Sequence, residues 1–282
     1  MDPFGAGVPD VIRFLQKQLA SSKHKWGTFN SHRSALSLIL SEDIARDFRV
    51  RRFLKAISKI RPQRPKYQIT WDPQIVLDYI CNLGDNNKLS LLNLSRKLSC
   101  LIALISAHRL QTLHLIQVEN IIFSEYGAKI YIPDPIKTSG VGRYQPLLDI
   151  PFFKENPLIC PALTLLEYIH KTAGIRSENN LNFLFITSKK PYSRATKATI
   201  ARWITGTLKT AGLDIGMFNA HSTRHSSTSA AFKAGVSIDL IRKTAGWTIK
   251  SETFAKYYHR PICETGFATA VLGKASDRVL SF

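Results

Sequence analysis

A short stretch of the sequence gathers side chains suited to handling an anion. Residues 219–261 read NAHSTRHSSTSAAFKAGVSIDLIRKTAGWTIKSETFAKYYHRP, opening on an H-x-x-R-H cluster of His221, Arg224 and His225. Arginine presents a planar fork of donors that matches a phosphate. His221 and Arg224 are three residues apart, so on a helical turn they project from neighbouring positions. Downstream lie Trp247, whose indole N–H can only donate, and the adjacent phenols Tyr257 and Tyr258. A phenol becomes a nucleophile when cationic neighbours hold and activate it. Metal binding is the competing chemistry, since His221 and His225 have the i, i+4 spacing of ligands. The zincin pattern requires Glu directly after the first His, however, and Ser222 stands there. No metal is expected.

Two more cations upstream have telling contexts. Arg109 lies in LISAHRLQTLHLIQVENI, at the end of an apolar helix and just before another helical stretch, where burying its charge is unfavourable unless an anion meets it. Lys137 lies in IPDPIKTSGVGRYQP, at a strand end leading into a Gly-rich turn, with Arg143 on the same turn as the alternative basic contact.

The whole chain shares this bias. Lys and Arg outnumber Asp and Glu by 39 to 20, a formal charge of +19 over 282 residues, which points to a polyanionic partner, nucleic acid before an acidic membrane surface. No apolar run reaches the length of a membrane span, and MDPFGAGVPD lacks the pattern of a signal peptide. Cys81, Cys100, Cys160 and Cys263 are scattered without a C-x-x-C pair, which argues against a disulfide framework and for a reducing compartment.

The elements that must carry these residues are mostly helical. Residues 10–60 show three apolar stripes, the second following a capping region at Thr28, Asn30 and Ser31. The segment from Arg49 to Lys66 holds Arg49, Arg51, Arg52, Lys55, Lys59, Arg61, Arg64 and Lys66 and no acidic residue. Its helical spacing lets one face pack while the other meets phosphates. Pro62 and Pro65 break the pattern, which puts a domain boundary near residues 61–68, dividing the chain into 1–66 and 67–282. Beyond it, helices are expected at 73–83, 88–107, 161–173 and 196–211. Residues 121–136 alternate like a β-hairpin turning near Gly127, with a third strand around Tyr144 to Leu148 and an extended run from Phe183 to Thr187.

Taken together, Arg109, Lys137, His221-x-x-Arg224, Trp247 and the tyrosine pair resemble, in chain order, the signature of the tyrosine recombinases, also called phage-type integrases. The resemblance implies a mainly α fold with a small antiparallel β-sheet: a helical DNA-clamping (core-binding) domain, its telltale piece FNSHRSALSLIL, followed by the catalytic domain. It implies that Arg109 and Arg224 clamp the scissile phosphate while Lys137 protonates the departing 5′-oxygen. His221 takes the tyrosine proton or binds a phosphate oxygen, and Trp247 supplies a donor. His225 orients its neighbours. Bacterial members have an acidic residue three positions after the first arginine; Thr112 stands here. The R-x-Q-T-L and T-F-A-K-Y-Y wordings are most like recombinases of eukaryotic mobile elements of the crypton and DIRS-like kind, which favours Tyr258 as nucleophile over Tyr257. Further implications are no cofactor, double-stranded DNA as partner, a tetramer on DNA, exchange of the tail from Cys263 to Phe282, no membrane, and a nuclear location (cytoplasmic if the source is not eukaryotic). A type IB topoisomerase-like relaxing enzyme and a domesticated, inactive DNA-binding protein share the same residues and stay open.

Overall fold

The computed structural model describes residues 5–40, 42–62, 67–140, 145–248, 252 and 254–258, with the side chains of Glu42, Lys256 and Tyr257 outside the description. The chain forms two compact units, Met1–Lys66 and Tyr67–Phe282.

The first unit contains helices α1 (Val8–Ser21), α2 (Trp26–Ile39), the short α3 (Glu42–Arg46) and α4 (Phe48–Ile60). Val11, Leu15, Phe29, Ile44, Val50, Leu54 and Ile57 form its core. The expected cap at Thr28, Asn30 and Ser31 is not there: α2 starts at Trp26 with Lys25 as N-cap. Those three residues sit inside the helix, and the Ser31 hydroxyl donates back to the Gly27 carbonyl. In α4, Asp47 is the N-cap, its carboxylate accepting from the backbone of Arg49 and Val50. Val50, Leu54 and Ile57 recur at i, i+4 and i+7 and are buried, whereas Arg51, Arg52, Lys55 and Lys59 are exposed.

The second unit is built around α6 (Leu91–Ser106), a helix whose apolar residues bury it on nearly every side. Helix α5 (Pro73–Asn82) precedes it; the one-turn α7 (Leu110–His114), then α8 (Pro161–Asn179), α9 (Lys197–Thr210), α10 (Ser222–Lys233) and α11 (Ile238–Thr244) follow. Helices α8, α9 and α10 pack against α6. A three-stranded antiparallel sheet, β1 (Ile121–Ser124), β2 (Gly127–Tyr131) and β3 (Leu147–Pro151), lies in the order β1-β2-β3. The hairpin turns at the expected place, with Ser124 paired to Gly127. Gly127 has φ +144°, and a Cβ there would collide with the Ile150 carbonyl, so glycine is required. The third strand begins later than expected, because its buried alternation is Leu148 and Ile150; Tyr144 lies outside the described residues. Lys137 is not at a strand end, since β2 stops at Tyr131 and Lys137 lies in the irregular segment beyond. The Phe183–Thr187 run is extended, bridging Gln117 and Arg194. No helix among the described residues is long and apolar enough to cross a membrane.

Candidate active site

Helix α10 is polar and yet buried. Ser222, Thr223, Arg224, His225, Ser226, Thr228 and Ser229 are all enclosed. Such burial is tolerable only where the polar atoms find partners. Several do: Thr228 Oγ1 donates to the Arg224 carbonyl at 2.7 Å and Ser229 Oγ to the Tyr258 carbonyl at 2.8 Å. Trp71 Nε1 donates to Ser222 Oγ at 2.8 Å, and Tyr67 Oη to Asn219 Oδ1 at 2.9 Å. Asn219 Oδ1 also accepts the His221 backbone N–H at 3.0 Å, so the start of α10 is fixed from outside the helix.

Arg224 is the centre of this arrangement. The residue is 1% exposed, and Nη1 donates to the Ala107 carbonyl at 2.5 Å. That carbonyl is available because α6 ends at Ala107 in the left-handed conformation, φ +49°. The guanidinium carbon lies 4.4 Å from the centre of the Trp247 ring and 5.3 Å from that of Tyr258. Arg224 Nε and Nη2 and Trp247 Nε1 are buried donors without a hydrogen-bond partner among the described residues. Burial lowers the Arg224 pKa to about 10; Tyr258 acts against that shift and Arg109 adds to it. The group stays charged at neutral pH. Tyr258 also acts as a hydrogen-bond partner in the shift of Arg224, although no bond between them meets strict distance and angle criteria. A buried cation with donors unpartnered among the described residues has the chemistry to receive an anion.

Tyr258 closes the site. A π-helical turn, Phe254–Tyr258, carries it, held by the Ser229 bond and by Phe254 packing on Phe232 and Trp247. The Tyr258 hydroxyl lies 3.3 Å from His221 Nε2. Its ring stacks on His225 at 4.1 Å and meets Trp247 at 4.8 Å. Tyr258, His221, Arg224, His225 and Trp247 therefore converge. Arg109 is the N-cap of α7, half-buried, and acts electrostatically on Arg224.

Lys137 is exposed, and its backbone N–H donates to Gln111 Oε1 at 3.2 Å, which ties its turn to α7 two residues beyond Arg109. The Tyr257 side chain, Arg143, Arg64, Lys66 and the tail from Cys263 lie outside the described residues. In the first unit, Arg51, Arg52, Lys55 and Lys59 line a broad cleft of about 780 Å³ together with Phe48. Arg49 and Arg61 use their donors internally. Arg49 binds the Asp47 carboxylate through Nε at 3.2 Å and Nη2 at 3.0 Å. Arg61 donates to the carbonyls of His24 at 2.8 Å and Leu19 at 2.7 Å. Among the described residues no cluster of His, Cys, Asp or Glu could hold a metal.

Sequence reasoning passed over His108. It is 8% exposed, beside both arginines, and burial above all lowers its pKa to about 4. Its place directly before Arg109 was the one available signal.

Residues 78–261 match the model of the phage integrase family, and the chain belongs to that family. Its fold is that of the tyrosine recombinase catalytic domain. Among solved structures it is similar to the Tn1549 transposon integrase in complex with circular intermediate DNA: TM-score 0.60, 16% identity, 97% of this chain and 86% of that one. It is similar also to a lambda integrase dimer bound to a COC′ core site, with TM-score 0.52 and 16% identity over 91% of this chain; it spans 65% of that chain. A lambda integrase tetramer bound to a Holliday junction gives TM-score 0.51 and 15% identity, with coverage of 88% and 66%. No curated protein matches the sequence.

Proposed function

We propose that the protein is a site-specific DNA recombinase or transposase that cuts and rejoins strands through a covalent 3′-phosphotyrosyl intermediate, without metal or ATP. The observation that carries this reading is the pairing of Arg224's two idle donors with the Tyr258 hydroxyl, itself 3.3 Å from an imidazole. Tyr258 Oη attacks the scissile phosphorus, and His221 takes the phenolic proton. Arg224, Arg109 and the Trp247 N–H meet the charge that builds on the non-bridging oxygens in the pentacoordinate transition state. Lys137 protonates the departing 5′-oxygen. A 5′-hydroxyl from a partner strand then attacks the phosphotyrosyl bond and releases Tyr258. The phosphoester energy is retained throughout.

The partner is double-stranded DNA. Arg51, Arg52, Lys55 and Lys59 supply sequence-independent phosphate contacts from the 1–66 domain. The wording around Arg109 and Tyr258 supports a source in eukaryotic mobile elements and hence a nuclear site of action. Assembly as a tetramer on two duplexes has support in the fold shared with the lambda integrase tetramer.

The test uses duplexes selected from a random pool by binding to the full chain, nicked so that the released 5′-hydroxyl strand diffuses away. Wild-type protein in excess EDTA should become covalently joined to the strand that carries the 3′-phosphate. Binding without adduct would leave an inactive DNA-binding protein. Supercoil relaxation without strand exchange would favour the topoisomerase-like alternative.

A further inference from the structure

Thr112, three residues after Arg109, is buried, and its hydroxyl lies 3.3 Å from Nδ1 of His108. Two pieces of chain meet this imidazole. Thr112 reaches it from α7, and the His108 backbone is tied to the end of α6 by its N–H, which donates to Ser106 Oγ at 3.3 Å. On another side lies Gly246, whose φ is +65° and where a Cβ would come within 3.0 Å of His108 Cε1. The imidazole thus fills the space that a side chain at residue 246 would take. The same ring feels both Arg109 and Arg224, which together with burial keep it neutral at physiological pH. A protonated ring would add a third cation to two already close, and an aliphatic one would abandon the Thr112 hydroxyl.

We infer that His108 is a positioning residue: a wedge that fixes the spacing of two site-bearing segments. These are residues 107–112, with the Ala107 carbonyl that docks Arg224 and with Arg109 at the start of α7, and the Gly246 turn that carries Trp247. The inference rests on the phosphotyrosyl reading above, and it answers what replaces an acidic residue at Thr112. Misplacing a guanidinium weakens its grip on an anionic oxygen far more than on a neutral group, and about 1 Å of misplacement can lower a rate roughly 10²-fold.

The experiment measures single-turnover adduct formation by the full chain on two nicked duplexes, one with a normal scissile phosphodiester and one with a methylphosphonate, which has one charged oxygen fewer. His108→Leu should slow the phosphodiester reaction about 10²-fold while duplex affinity holds and the protein stays folded at the assay temperature. Thr112→Val, close to isosteric, should slow it in the same direction, and the double variant should be no worse than His108→Leu alone. His108→Gln, which keeps a polar partner for Thr112, should recover most of the loss. On the methylphosphonate the gap between wild type and His108→Leu should shrink to less than about tenfold, since alignment of the cations then matters less. An equal loss on both duplexes, or no loss on either, overturns the inference. If wild type itself forms no adduct, the phosphotyrosyl reading fails separately. The wedge is then judged by nitrogen-15 NMR: Thr112→Val must shift the His108 ring nitrogens and His108→Leu must shift the Trp247 indole signal, and unmoved signals overturn it.

Discussion

Among the described residues of the second unit two arginines are buried, and they are buried differently. Arg176, near the end of α8, is 8% exposed, with every arm of its guanidinium engaged. Nε donates to Thr172 Oγ1 at 2.9 Å, Nη1 to the carbonyls of Phe183 at 2.6 Å and Leu181 at 3.4 Å, and Nη2 to the Leu184 carbonyl. It clips the extended Phe183–Thr187 run to the helix. Arg224 is even less exposed but has one arm docked on Ala107, and its Nε and Nη2 have no partner that meets hydrogen-bond criteria among the described residues. Burial lowers the pKa of both. The difference lies in hydrogen bonding: a fully satisfied buried cation holds the fold, whereas a half-satisfied one weakens the fold and waits for a ligand.

The sharpest way to break this contrast is to remove each cation in turn. Arg224→Met should cut adduct formation by about 10³-fold or more, with unfolding free energy within about 1 kcal/mol of wild type or above it. Tyr258→Phe should match the loss of adduct while keeping duplex affinity, because its ring contacts with His225 and Trp247 survive. Arg176→Met should do the reverse. It orphans several buried carbonyls and should lower stability by about 3 kcal/mol in urea titrations, with adduct formation within a few-fold of wild type where the protein is folded. Loss of activity without loss of stability at Arg176 would collapse the distinction.

A third effect is smaller and depends on pH. The folded-state pKa of His108, about 4, lies below its ordinary 6.5. The unfolded chain therefore takes up a proton between those values while the native protein does not. Stability from this group is intact above about pH 6.5 and is lost as pH falls toward 4, by roughly 3 kcal/mol in all. His108→Gln should flatten that limb of the stability curve. Smallest per residue is the DNA term. Alanine at Arg51, Arg52, Lys55 or Lys59 should each reduce the log–log salt slope of duplex binding by about 0.9. Alanine at Arg49 or Arg61, whose donors are used internally, should leave the slope nearly unchanged, with Arg61→Ala lowering stability instead.

The same contrast explains what could be read in advance. The hairpin at Gly127 and the α4 stripe were legible, since alternation and helical spacing are local properties of the chain. That His221, Arg224 and His225 form one cluster was legible, because their spacing in the chain already sets them close together. Long-range partners were not. Nothing in the local sequence distinguishes Arg61, which binds the Leu19 and His24 carbonyls, from Lys59, which faces solvent. Nor does it pair Thr112 with His108 against the Gly246 turn. The start of α2 was misplaced because Thr28, Asn30 and Ser31 are cap-forming residue types, while the apolar contacts of Trp26 and Phe29 decide where the helix begins.

The central claim is that Arg224's idle donors and the Tyr258 hydroxyl serve one phosphodiester. Its most direct test is to digest the trapped protein–DNA adduct with protease and identify the modified residue by mass spectrometry. The account predicts phosphate on Tyr258 in the wild type and no adduct from Arg224→Met. Phosphate on Tyr257, or undiminished adduct from Arg224→Met, would contradict it.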